Sequence, residues 1–285
     1  MGKVFKSVNN KEGYTKIVDN SNSDLKYIEM GMLNFEKVGA FFEMATGHRE
    51  FGINILSGVI KLKVVMGKSQ IFEFEKVGSR LNLFSGPPAM VYLPTNSTFS
   101  IEIVQPPFSA VVYSAPADIE TVPRVINPNE IITVRTGELN WTRFVRVGIS
   151  DNIKADKLII GETLAPSGNW TSYPSHKHDE RNPPFEKPSE EVYSFYFDKP
   201  GGFAMIRIYT PKEARDPLDE AYVMNDGGVV AIGRGYHPIA VAPGYRCCYL
   251  FCLAGEERNY GAWSDDPEHS WIRGCETVIQ GNELL

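Results

Sequence analysis

Long apolar runs are missing from this sequence. No stretch of its 285 residues approaches the roughly 20 apolar residues of a membrane-spanning helix, which excludes a helical membrane protein. Basic clusters are missing too. The formal net charge is −6 and no Lys or Arg run interrupts it, so a nucleic-acid surface is not expected. The opening Met1-Gly-Lys-Val-Phe-Lys-Ser7 has no apolar centre of the kind a secretory leader carries, and a cytoplasmic protein is expected. Cysteine is scarce: Cys247, Cys248 and Cys252 share one apolar run and Cys275 stands apart. Without paired Cys-x-x-Cys motifs a zinc knuckle is a poor reading, and free, buried thiols are expected. Helix signals are sparse, and no short repeat or low-complexity tract is visible.

Strand and turn chemistry is abundant instead. Val, Ile, Tyr and Phe are frequent, 19 Pro and 25 Gly punctuate them, and 42% hydrophobic residues suffice for a sizeable core. In the first half, strands are predicted over 51–56, 59–65, 70–74, 89–93, 99–104 and 110–114, separated by Ser57-Gly58, Gly86-Pro-Pro88 and Pro106-Pro107. The second half repeats the rhythm over 158–163, 191–197, 203–209, 229–232, 239–242 and 247–253. The fold class is therefore all-β, with two barrels of similar build in one chain. The expected division is 1–138 and 139–285, with the reservation that paired barrels exchange strands.

The candidate site lies in the second half. In Gly168-Asn-Trp-Thr-Ser-Tyr-Pro-Ser-His-Lys-His-Asp179, His176 and His178 stand at i and i+2. On a strand that spacing puts both imidazoles on one face and Lys177 on the other. Glu190 and Glu191 open the aromatic run that follows, and neighbours on a strand face opposite ways, so only one of them can join the histidines. Arg234-Gly-Tyr-His-Pro238 adds His237. A lone His-x-His pair is more often coincidence than ligand, but three of the five histidines fall in this constellation. Three imidazoles and one carboxylate make a mononuclear metal site with open positions, which is the mark of a catalytic centre. The first half offers only His48 and Glu50, so no metal is expected there, and packing or homo-oligomer contact is its expected role. The loop 179–189, with Pro183, Pro184 and Pro188, is either a lid or a stiffened connector.

The order His-x-His, Glu before a strand, a glycine turn, then a later His resembles the metal motif of the cupins. More closely, Gly168–Asp179, Arg234–Pro238, Ala242-Pro-Gly-Tyr245 and Asp266-Pro-Glu-His-Ser-Trp-Ile272 resemble the 5-deoxy-glucuronate isomerases of myo-inositol catabolism. Weaker similarity continues at Gly78-Ser-Arg-Leu81, Phe84-Ser-Gly-Pro-Pro88 and Val91-Tyr-Leu-Pro94, so most of the chain is covered.

The resemblance implies a bicupin whose metal is held by His176, His178, Glu191 and His237, with Glu191 preferred to Glu190. It implies conversion of 5-deoxy-D-glucuronate to 2-deoxy-5-keto-D-gluconate through an enediolate. Zinc is the expected ion, since the reaction needs a Lewis acid and no redox change; Mn, Fe and Ni suit the same donors. The general base is sought in Glu162 or Tyr249. Arg207 is the expected anchor for the substrate carboxylate, on the alternation of Phe203–Tyr209 with Met205 and Tyr209, and Tyr193 shares the Glu191 face. Rival readings are an iron-dependent cupin dioxygenase, an isomerase of 5-keto-4-deoxyuronate and a non-catalytic sugar-binding cupin.

Overall fold

The computed structural model describes residues 3–6, 11–67 and 69–283; Met1, Gly2 and residues 7–10 of the opening stretch lie outside them. The chain forms two β-barrels of cupin type packed against each other across a shared core. The first is one eight-stranded sheet in the order Gly13–Val18, Glu29–Phe35, Ser97–Pro116, Arg49–Met66, Met90–Leu93 and Arg124–Ile126. Phe41–Ala45 adds to Ser97–Pro116, and Gln70–Val77 adds to Arg49–Met66. Two pairs of predicted strands are fused here. Segments 51–56 and 59–65 belong to the single strand Arg49–Met66, and segments 99–104 and 110–114 to the single strand Ser97–Pro116. Gly58 is a bulge and not a turn. Its φ is +86°, the register slips on both sides of it, and a Cβ there would come within 2.6 Å of the Gln105 carbonyl. Gly58 therefore lets the two long strands bend together instead of ending.

The second barrel faces a seven-stranded sheet against a four-stranded one. The larger runs Lys3–Phe5, Val229–Ile232, Glu190–Phe197, Cys247–Ala254, Ile159–Ala165, Arg143–Ile149 and Thr133–Thr136. The smaller runs Trp170–Thr171, Ile239–Val241, Phe203–Tyr209 and Asp219–Asn225. Strand exchange does occur: Lys3–Phe5 and Thr133–Thr136 precede position 138 yet belong to the second barrel's sheet. Sheet membership thus changes between Ile126 and Thr133, ahead of the expected division.

Three cores follow from period-two alternation. Ile53, Leu62, Phe99 and Ile101 fill the first barrel. Phe195, Ile206, Ile208 and Ile239 fill the second. The third core is the seam between the barrels, where Met30, Met90, Tyr92 and Tyr113 of the first meet Ile160, Val192, Cys248, Leu250 and Cys252 of the second. The strand Cys247–Ala254 is buried on both faces for this reason. Its even positions enter the seam, while Cys247, Tyr249 and Phe251 turn into the second barrel. All four cysteines are free; Cys275 is only half-buried, on the terminal helix. That helix, Ile272–Glu283, is the single α-helix among the described residues. It docks on the second barrel through Trp141 Nε1 to Glu276 (2.8 Å) and Gln280 to Glu138 (2.9 Å).

Candidate metal centre

The second barrel's interior opens as a cavity of about 370 Å³, in the range of small-molecule sites. His176 lies on the short strand His176–Lys177, which pairs with Ser264–Asp265, and His178 follows directly. The two imidazoles share a side, and Lys177 points away into a carboxylate cluster of Asp179, Glu180 and Glu186. Glu186 is buried and also accepts the N–H groups of Asp179 and Glu180. The loop 179–189 is thereby folded onto itself, and its last residue serves the site: Ser189 O accepts from His178 Nδ1 at 2.7 Å.

His237 arrives from the turn after Val229–Ile232. That turn needs glycine at 235, where φ is +92° and a Cβ would sit 2.7 Å from the Tyr209 carbonyl. The Gly235 N–H donates to Asp179 (2.7 Å) and its carbonyl accepts from His237 Nδ1 (2.8 Å), so one residue ties both histidine segments together. One ring nitrogen from each of His176, His178 and His237 lies within 4.8 Å of the others.

Glu190 and Glu191 diverge as strand geometry requires. Glu190 turns to the seam and accepts three backbone N–H groups of the first barrel. Glu191 turns to the histidines, its Oε2 lying 3.1 Å from His178 Nε2 and 3.3 Å from His237 Nε2. With the Nδ1 atoms of His178 and His237 directed at carbonyls, the Nε2 atoms are the ring nitrogens that face Glu191. Two imidazole nitrogens and a carboxylate oxygen converging in this way are a donor set that suits a shared cation. Burial pulls His178 down, but Glu191 and the Ser189 carbonyl outweigh it and raise it. Burial pushes the Glu191 carboxyl up, but the two imidazoles outweigh it and hold it at about 2. Burial, then His237 and His178, push His176 well below its ordinary range, keeping it neutral. His176 Nδ1 and His237 Nε2 are buried without a hydrogen-bond partner. Three clustered imidazoles, an ionised carboxylate and orphaned nitrogens together fit a divalent metal ion.

Tyr193 and Tyr249 line the same cavity, their rings 5.1 Å apart, with Tyr193 5.8 Å from His237. Tyr249 shares a 2.7 Å hydrogen bond with Thr171. Burial pushes Tyr249 up to about 12 and Tyr193 well above its ordinary value, so both stay protonated. Ser172 has φ +53°, lines the cavity, and its buried hydroxyl has no partner, a strained residue of the sort found where ligands bind. Trp263, 5.3 Å from the His176 ring, covers the site with Tyr260.

Two expected residues lie elsewhere. Glu162 is buried, but it points into the seam, where it pairs with Arg80 of the first barrel (2.9 Å) and with Arg146 (3.0 Å). Its neighbour Thr163 is the one that lines the cavity. Glu162 is therefore no base for this site. Arg207 lies on the outer surface, 49% exposed, bound side-on to Asp219 and stacked over Tyr209. The aliphatic face of its strand, Ala204, Ile206 and Ile208, takes the interior. In the first barrel, His48 is an exposed turn residue and the Glu50 carboxylate turns to the seam. Sequence reasoning passed over Arg143, which lines the cavity in phase with Val145 and Val147. Its signal was a charged residue alternating with two valines, but Arg146 on the opposite face gives the same signal.

Two barrels sharing a seam, with a histidine cluster inside one of them, define a bicupin. The chain belongs to the KduI/IolB family, whose model matches residues 4–272, and it is an isomerase of that family. It is 32% identical to the 5-deoxy-glucuronate isomerase of Shouchella clausii over 95% of this chain and 99% of that one. It is 32% identical to the enzyme of the same name from Bacillus subtilis strain 168, covering 90% and 91% of the two chains. Among solved structures, an IolB-like protein from Salmonella typhimurium superposes with a TM-score of 0.86 at 27% identity, covering 95% of this chain and 99% of that one. An oxalate decarboxylase from Lactobacillus farciminis shares the fold alone, with a TM-score of 0.67 at 12% identity over 99% and 93%. No helix among the described residues is long and apolar enough to cross a membrane.

Proposed function

We propose that this chain converts 5-deoxy-D-glucuronate to 2-deoxy-5-keto-D-gluconate in myo-inositol catabolism. The observation that carries the reading is the histidine cluster with Glu191 at the second barrel's cavity, in a member of a family whose curated relatives bear that activity's name. His176, His178, Glu191 and His237 would hold one divalent ion, zinc by preference, since no electron is transferred overall. Such an ion supplies Lewis-acid polarisation of the substrate's carbonyl oxygen.

The chain's own groups bind and orient the substrate for that change. A proton leaves the hydroxyl-bearing carbon and one returns to the old carbonyl carbon, so the aldehyde becomes the neighbouring ketone without an external oxidant. The hydroxyls of Tyr193 and Tyr249 stay protonated and donate to substrate oxygens as these gain negative charge. The Ser172 hydroxyl offers a further hydrogen bond to a sugar hydroxyl. Trp263, Tyr260 and Phe251 keep bulk water from the reacting carbons. With Glu162 in the seam, Glu191 is the one carboxylate lining the cavity among the described residues.

The test is turnover of 5-deoxy-D-glucuronate in deuterated water with oxygen uptake followed in parallel. Deuterium in the product at the former aldehyde carbon, no oxygen consumption, and loss of turnover on chelation are expected. Oxygen consumption by an iron-loaded sample, without turnover or exchange on any deoxy-uronate, would transfer the site to the dioxygenases.

A further inference from the structure

We propose that Arg143 binds the substrate's carboxylate and so selects uronic acids over neutral sugars. The inference rests on the isomerase reading and adds to it the group that recognises the far end of the substrate.

Arg143 begins the strand Arg143–Ile149 and is 8% exposed, so it is a cation held almost wholly out of water. A buried guanidinium requires compensation. The protein supplies it on one side only. Nη1 donates to the carbonyls of Tyr173 (2.7 Å) and Trp141 (3.4 Å), and no carboxylate among the described residues lies within ion-pairing distance. Nε and Nη2 have no protein partner among the described residues. These two form the side-on edge of the guanidinium, whose parallel N–H groups match the two oxygens of a carboxylate. The same edge of Arg207 grips Asp219 in this way at 2.7 and 2.8 Å.

The cavity that Arg143 lines is the one that holds His176, His178 and Glu191. Its other lining arginine, Arg273, is already engaged by Asp265 (2.8 and 3.1 Å) and Glu276 (3.7 Å). Arg146 and Arg207 are engaged by Glu162 and Asp219 outside the cavity. Arg143 is thus the cavity's unpaired cation among the described residues. An anionic ligand there satisfies the open edge without displacing any internal ion pair.

The experiment compares the acid with its neutral analogue, in which a hydroxymethyl group replaces the carboxylate, on metal-loaded protein. Wild type should prefer the acid. In Arg143→Gln the acid should lose about a hundredfold in kcat/KM, mostly through KM, while the neutral sugar changes little. Arg143→Lys, which keeps the charge but not the fork, should fall between. An undiminished preference for the acid in either variant overturns the proposal. So does an equal fall on both substrates, which is the signature of a strut for Tyr173 and Trp141. If Arg143→Gln does not fold, Arg143→Lys alone decides by the same ratio. If wild type turns over neither compound, the isomerase reading has failed separately. Calorimetric binding of D-glucuronate then judges the arginine: binding to wild type and not to the variant supports it, and equal binding or none overturns it.

Discussion

Glu50 and Glu190 perform the same task in opposite directions across the seam between the barrels. The Glu50 carboxylate accepts the N–H groups of Asp156 (2.8 Å), Lys157 (2.7 Å) and Leu158 (2.8 Å) in the second half. The Glu190 carboxylate accepts those of Lys26, Tyr27 and Ile28 in the first, each at 2.7 Å. Each glutamate stands at the start of a strand, and each group of N–H donors leads into one, so the two halves repeat a single device. Three N–H donors on each carboxylate hold it in the seam, turned away from the cavity.

Glu50→Gln should lower stability by about 2–3 kcal/mol, because charge-assisted bonds to buried N–H groups are lost and an amide NH₂ faces some of them. Denaturant unfolding measures the loss. Metal stoichiometry should be unchanged, since Glu50 turns to the seam and not to the cavity.

The adjacent glutamates should separate cleanly. Glu191→Gln should weaken metal binding by at least about a hundredfold with little change in unfolding. Glu190→Gln should keep the metal and unfold more readily. Metal analysis after dialysis, beside a melting curve, checks both; the reverse pattern would exchange their roles.

Glu162→Gln should destabilise the protein by about 3–5 kcal/mol, since Arg80 and Arg146 would share one uncharged partner in the seam. The folded fraction should retain its turnover per bound metal. A selective loss of kcat at full stability would restore Glu162 as a catalytic group.

Arg207→Ala should leave kcat/KM within about twofold of wild type, because an exposed ion pair with Asp219 lies outside the cavity. Steady-state kinetics on the deoxy-uronate checks this, and the contrast with Arg143→Gln locates the anionic end of the substrate.

The sequence alone determined relative placement. Position 176 and position 178 share a face, Glu190 and Glu191 oppose, and Tyr193 follows Glu191, all because side chains on a strand alternate with period two. Turn glycines and β-branched runs likewise announced two all-β halves. What only the tertiary structure decided is which face of each strand is inward. The second barrel's large sheet is buried on both sides, by the cavity on one and by the seam on the other, so an apolar pattern continues on both faces. Period two then leaves Glu162 against Thr163, and Arg143 against Arg146, unresolved. On Phe203–Tyr209 it leaves Arg207 in phase with Phe203 and Met205, which turn out to face solvent. The choice in each case was made by packing against the other barrel: the Arg80 guanidinium draws Glu162 into the seam, and Arg143 keeps the cavity side with its fork open.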